Sequence, residues 1–574
     1  LLVLALAATA ACSPGTGRTA AAANAARSQP GRDSADCAAL AAHYRPQAQS
    51  QARMSPVRFN PVTAQRPLPT AADIAAVDGR HVVILGSAPA GLRIFDTAGN
   101  HLTLLGSLAL PDQAEQIVML PRHRALIIGV DMEYQQSKRG EISRRYAVLS
   151  VLDLTDARKP RVVHAERIEG SVLSATARYG VARVVLTYSP RIVDRVAAPD
   201  ETDAQVVRRN MAAAAAARGS DYIPARTVTD GDVSSTGPLL ACSDLARPSA
   251  PHGTGITAVL TINPDQRGPA PVRGIADEGE AVLDTGDRVY VTAFDASVPH
   301  ARDRGTTTIY DLAVGSGHLV LGTVPGHVPG AEALSARHGV LRVALGMSHR
   351  HGVPRGRVID RRGIAVLRED GDTLRLLGTS IGAGHKDWIE TIAWVGDDAV
   401  LEAPDGTHYI YDTSNPASPR LATSVRLPGH VGYVQNTTSR RALAVGPNEG
   451  HTSTTAGTTV GYLDLNRPTH PRLIHAVSLG PGGTSVDTTP ESFGWLPSLH
   501  LVVVPLNHDG YGAALVRVSG STLQVVGRVP VGGFPRRFLA VGDLVVGTTD
   551  HTVVLINPEK AVVLAQVKGE MHKG

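Results

Sequence analysis

Apolar residues in this chain fall in short runs cut by Gly, Asp, Asn and Pro, and the stretch from Asp387 to Gly446 shows the pattern most plainly. Ile389 to Val395 reads as a strand, Gly396-Asp397-Asp398 as a turn, and Ala399 to Ala403 as a second strand. Pro404-Asp405-Gly406 turns the chain into a third strand, His408 to Tyr411, which closes in Asp412-Thr413-Ser414-Asn415-Pro416. Arg420 to Leu427 is the fourth, closed by Pro428-Gly429. Short apolar runs bounded by turn residues predict an antiparallel meander.

The same template recurs along most of the chain. A first unit opens at the turn Val77-Asp78-Gly79, without a clear opening strand, and continues through His81 to Leu85 and Leu92 to Asp96. Gln116 to Val130 with Tyr146 to Asp153 marks a second, and Ser171 to Tyr188 opens a third that resumes at Ile256 to Ile262. Arg288 to Phe294, Gly339 to Leu345, Arg441 to Val445, Leu499 to Leu506 and Phe534 to Leu555 place further units around the opening stretch. The count is nine, whereas closed propellers hold four to eight blades. The expectation is an all-β chain: a single large β-propeller of about eight blades of four antiparallel strands, with a short N-terminal helix and one helical insertion. Closure is expected because an open array would leave sheet edges that recruit other strands.

Two segments break the template. Asp36 to Tyr44 is a short helix candidate. Glu201 to Arg218 has helical period and composition, and Gly219 suits its C-cap. Long insertions in repeat proteins sit on one face, often the functional one, so the charged loop 190–255 is the leading interaction surface. The expected organisation is a signal-peptide remnant and lipobox over 1–12, a flexible tether over 13–33, the helix and its extension over 34–73, and the propeller over 74–570.

Composition narrows the class. Aromatic residues are only 4%, so the core must be built from Val, Leu, Ile and Ala. A net charge of +4 over 574 residues, with no basic stripe, argues against nucleic acid as a partner. Leu1 to Ala11 is apolar but too short to span a bilayer, and it ends in Thr9-Ala10-Ala11-Cys12, which resembles a bacterial lipobox. Lipidation of Cys12 would anchor the protein to a membrane; plain secretion is the other reading.

Chemical motifs reduce to ordinary turns. Gly378-Thr379-Ser380-Ile381-Gly382 has the spacing of a nucleophile elbow but leads into another strand and not a helix. His349-Arg350-His351 puts two imidazoles at strand spacing, yet Gly352, Pro354 and Gly356 make it a loop with no third ligand in view. Asp230-Gly231-Asp232-Val233-Ser234 begins like a calcium loop, but Ser235 and Ala241 replace the glycine and the bidentate glutamate it needs. The repeated endings Asp153 to Pro160 and Asp412 to Pro416 fit Asp-stabilised turns. No metal site, cofactor or catalytic cluster is expected.

Several motifs resemble, in their order along the chain, the secreted bacterial and archaeal beta-propeller domain family, distantly related to WD40 repeats. They are Cys37-Ala38-Ala39-Leu40; Asn210 followed by Tyr222-Ile223-Pro224; Cys242-Ser243-Asp244-Leu245 with Pro248; Leu341 to Ala344; Ile389 to Asp397; and Arg537 to Gly542. The chain departs from that pattern at Ala336 and Ala393, where an acidic residue and an arginine are expected. The family brings no activity to carry over. With Cys12 assigned to lipid, the resemblance implies that Cys37 and Cys242 pair in an oxidising compartment, the alternative being two buried thiols.

Two functions follow as expectations. The first is an extracytoplasmic, lipid-anchored, monomeric propeller that acts as a binding platform for a protein or glycan partner. The second is an extracytoplasmic enzyme with a substrate site in the funnel. Arg342, Asp387, Glu390 and Glu491, near inner strands, are the polar residues expected to face that funnel.

Overall fold

The computed structural model describes residues 35–57, 74–87, 90–110, 113–137, 139–249, 251–294, 305–346, 362–382, 389, 391–403, 405–426, 432–447, 457–486, 489–507 and 510–568. Within them the strands form nine four-stranded antiparallel units. Unit one covers 75–109, unit two 113–169, unit three 171–275, unit four 281–325 and unit five 334–381. Units six to nine cover 391–426, 433–478, 494–530 and 535–568. The nine repeats make eight separate hydrogen-bonded sheets, because a single bridge, Leu321 to Thr373, stitches unit four to unit five. Unit one does have an opening strand, Ala75–Asp78, paired from Ala75 opposite Ile84. Its sequence signal is faint because the strand is only four residues long.

In each unit the two middle strands are the most buried and the first and fourth are partly exposed, which explains the sequence pattern. A second strand such as Leu501–Asn507 is buried on both faces and reads as a continuous apolar run. A fourth strand such as Arg420–Arg426 alternates and carries arginine at both ends, which discourages pairing with foreign strands. Neighbouring units share apolar seams. Val395, Val400 and Ile410 of unit six meet Val434 and Ala444 of unit seven. The ring closes where Val82 and Phe95 of unit one meet Val546 and Leu555 of unit nine.

The strand-ending acids do the turn work expected of them. Asp153 Oδ1 accepts the Thr155 N–H at 3.1 Å, Asp412 Oδ1 that of Ser414 at 3.0 Å and Asp464 Oδ1 that of Asn466 at 2.8 Å. Gly378 lies in the outer strand Thr373–Ile381, so its pentapeptide is no elbow. A Cβ there would stand 2.7 Å from the Ala417 carbonyl oxygen in the turn of unit six. Gly378→Val is therefore expected to lose about 2–3 kcal/mol by forcing apart the seam between units five and six. Urea unfolding measures this, and an unchanged midpoint would show that the seam yields.

The insertion in unit three is tied back onto the chain. Its helix (α2, Asp203–Ala216) starts with a capping box, Thr202 Oγ1 accepting the Gln205 N–H and Gln205 Oε1 the Thr202 N–H. The N-terminal helix (α1, Ala35–Ala52) is longer than expected and packs Ala48 and Ala52 against Ala214 of α2. Tyr44 of α1 is fully buried, stacks on Tyr222 and donates its hydroxyl to the Gly255 carbonyl at 2.6 Å. Beyond α2, the hairpin Ala225–Asp230 and Val233–Pro238 extends the outer edge of unit two, with Arg226 opposite Ile168. Asp230 accepts the Gly268 N–H and contacts His164, so the calcium-like stretch is a hairpin turn.

Gly219 has a different job from the one its position suggested. α2 ends at Ala216, and its cap, Ala217, is extended, with φ −60° and ψ 130°. A Cβ on Gly219 would stand 2.0 Å from the Cys37 carbonyl oxygen, so the residue admits the backbone of α1. At that contact Cys37 and Cys242 form a disulfide with Cα atoms 5.1 Å apart.

Candidate functional site

The innermost strands of units six to nine, with Val77 of unit one, surround a cavity of about 590 Å³. Both faces of these strands border it. In Thr391–Val395, Thr391 and Ala393 lie on the face toward unit seven, while Ile392 and Trp394 point to unit five. All four border the cavity.

Its walls concentrate what the rest of the chain lacks. Two of the three tryptophans, Trp394 and Trp495, line it, in a protein with only 4% aromatic residues. Tyr433 and Phe493 line it too, their ring centroids 5.1 Å apart. Trp394 is held from behind: its Nε1 donates to the Glu332 carbonyl oxygen at 3.0 Å, and the Arg342 guanidinium lies over its ring at 4.7 Å.

The polar rim is mostly neutral. The Tyr433 hydroxyl donates to Gln435 Oε1 at 2.9 Å, and Gln435 Nε2 donates to Asn436 Oδ1 at 3.1 Å. Arg537 Nη1 donates to the Glu491 carbonyl oxygen at 3.0 Å. Among the described lining residues there is no serine, cysteine or histidine.

Of the four polar residues expected at the funnel, Glu491 lines the cavity. Arg342 lies elsewhere. It is 3% exposed in the seam between units five and six, donating to the Gly396 carbonyl at 2.7 Å and to Ser335 Oγ at 2.6 Å. It comes from the second strand of its unit, Val340–Leu345, not the innermost one, and so reaches the seam and not the axis. Burial pulls its pKa down to about 10, which leaves it cationic at neutral pH behind Trp394. Asp387, Glu390, Cys12 and the pair His349 and His351 lie outside the described residues.

Trp495, Gln435 and Asn436 were not among the residues expected there. The signal for Trp495 is its place in Gly494–Leu496, an innermost strand of a chain with three tryptophans. The two amides carry no such signal. The strongly displaced acid Asp398 sits in the seam between units six and seven, away from the cavity, with its carboxyl pushed up to about 7 by burial and neighbouring carboxylates.

No curated protein matches the chain in sequence. Solved structures with a similar trace include Hsv2p of Kluyveromyces lactis, at 11% identity over 71% of this chain and 94% of that one, with a TM-score of 0.32. The periplasmic gluconolactonase PpgL of Pseudomonas aeruginosa aligns at 16% identity over 60% and 92%, with a TM-score of 0.31. Sqt1 of Chaetomium thermophilum aligns at 12% identity over 61% and 84%, with a TM-score of 0.34. No ligand or activity follows from likenesses at this level. The sequence profile of the Beta propeller domain family, by contrast, matches residues 71–552, from unit one into unit nine, and the chain belongs to that family.

Proposed function

We propose that this propeller is a binding protein of the cell exterior, anchored through lipid on Cys12, that recognises a ligand in the mouth of its funnel without turning it over. The observation that carries the reading is the cavity: concave, walled by Trp394, Trp495, Tyr433 and Phe493, with a rim of amides. Apolar walls with a few convergent polar groups are what small-ligand sites are made of. The Cys37–Cys242 bond supports an oxidising location, and Thr9-Ala10-Ala11-Cys12 supports the anchor.

The anchor is tested by Cys12→Ser, expected to move the protein from the membrane pellet to the supernatant; retention in the pellet overturns it. The site is tested by thermal melting against fractionated envelope extract. A ligand at about 100 times its Kd adds about 2.7 kcal/mol to the folded state, so wild type is expected to melt a few degrees higher. Trp495→Ala is expected to abolish that shift. An equal shift in both proteins would place binding outside the funnel.

A further inference from the structure

Taking the funnel as a ligand site, we propose that its ligand is a neutral oligosaccharide. Sugars combine flat apolar C–H faces with a rim of hydroxyl groups. A matching site needs flat aromatic walls and, at their edges, groups that both donate and accept. Trp394, Tyr433 and Trp495 come from three successive units, so the walls bear on one cavity from different sides. Trp394 is fixed in advance by the Glu332 carbonyl and by Arg342, which lowers the ordering lost on binding.

The rim supplies the second half. An amide offers two N–H donors and a carbonyl with two lone pairs. Gln435 Oε1 takes one bond from Tyr433, and Asn436 Oδ1 takes one from Gln435 Nε2. Asn436 is exposed, and its Nδ2 donates to no group among the described residues. A second lone pair on Gln435 and the Asn436 amide donors thus stand ready for hydroxyl groups.

Charge narrows the sugar. The lining carries two carboxylates, Glu332 and Glu491, and one guanidinium, Arg537, with the Arg342 guanidinium behind Trp394, so the charges balance and favour a ligand without net charge. Aromatic walls also suit quaternary ammonium groups. A cavity of about 590 Å³ is, however, far larger than such a headgroup fills. A neutral chain of a few sugar rings satisfies walls, rim and charge together.

The test is calorimetric titration of the full chain with hexamers of N-acetylglucosamine, β-1,4-glucose and α-1,4-glucose, alongside a galacturonic acid hexamer and betaine. At least one neutral hexamer is expected to bind. Trp495→Ala is expected to weaken it roughly thirty-fold, as truncation of a central aromatic anchor does. Asn436→Ala, at an exposed position that leaves the fold intact, is expected to weaken it several-fold. Binding of betaine alone would overturn the sugar, and binding of the acidic hexamer alone would overturn its neutrality; loss of either in Trp495→Ala would keep the funnel. Neutral hexamers that bind both variants as well as wild type would overturn the site, and no binding by any neutral hexamer would overturn the proposal.

Discussion

Replacing Cys37 and Cys242 together by serine is expected to destabilise the folded chain by about 3–5 kcal/mol, the range set by loop-closure entropy for a long loop. The bond closes a sequence separation of 205 residues, so the open chain gains a large ensemble when it is removed. The native side offers little compensation at that end of α1. Ala35, Asp36, Ala38 and Ala39 are exposed, and the first deeply buried side chain is Leu40. What the disulfide holds is a shared core in which Leu40 and Tyr44 pack with Tyr222, Leu240 and units two and three. Thermal melts with and without dithiothreitol measure the effect. Wild type should fall to the melting temperature of the double variant when reduced, and the variant should ignore the reductant. A wild-type curve that does not move in reductant would show that helix docking alone holds this corner.

The strands were legible because each obeys a local rule. Leu501–Asn507 and Val340–Leu345 are buried on both faces and spell continuous apolar runs. Asp412 and Asp153 end strands in turns that their own carboxylates stabilise. That grammar marks nine repeats and nine units fold, one more than the about eight blades expected from the usual size of closed propellers; what it could not carry was the pairing between repeats, since one bridge at Leu321 decides whether two units share a sheet. Gly219 was misread for a related reason. A glycine after a helix suggests a cap, whereas this one is required by the approach of Cys37 from far away in sequence.

The site was legible only in part. Glu491 was found because it precedes an innermost strand, and it does line the cavity. Arg342 carries the same kind of signal but enters from a second strand, so it supports Trp394 from the seam. Charge marks polar residues in a sequence, yet this cavity is defined by aromatic and amide groups. Their convergence depends on the packing of successive units, six against seven, and on the closure that sets unit nine beside unit one.

The seam between units six and seven holds the position where a single charge has the largest expected effect. Asp398→Asn should stabilise the protein by about 2 kcal/mol at pH 8 and leave it unchanged near pH 4. Asp398 opens the strand Asp398–Glu402, is buried, and lies directly opposite Asp412. Burial, then the carboxylates of Asp412 and Asp397, push its carboxyl up to about 7, against an opposing pull from Arg440 and Arg342. Asp412 goes the other way. Burial would raise it, but the Ser414 N–H and hydroxyl and the Arg420 guanidinium outweigh burial and hold it below the usual range. Of the two facing acids, Asp412 therefore stays ionised and Asp398 keeps the proton.

An unfolded aspartate titrates near 3.9, so between about pH 4 and pH 7 the folded chain binds a proton that the unfolded chain has released. Stability must fall with rising pH across that window and level off above it, where the ionised acid sits unrelieved in the seam. Three pH units at about 1.4 kcal/mol each set a ceiling of ~4 kcal/mol, which partial access to water reduces to about 2. Asparagine keeps the shape and removes the charge, so the gain appears only where wild type is ionised. His164 loses stability in an adjoining range. Burial lowers its pKa, but Glu166 and Asp230 outweigh burial and raise it, so its contribution is present at low pH and fades as pH rises through the folded value. Subtracting the variant from wild type at each pH cancels that background. Urea unfolding of both proteins from pH 4 to pH 9 gives the difference curve, which should rise from zero through a midpoint between pH 4 and 7. A difference independent of pH would mean that Asp398 is ionised throughout and that the seam between units six and seven admits water to it.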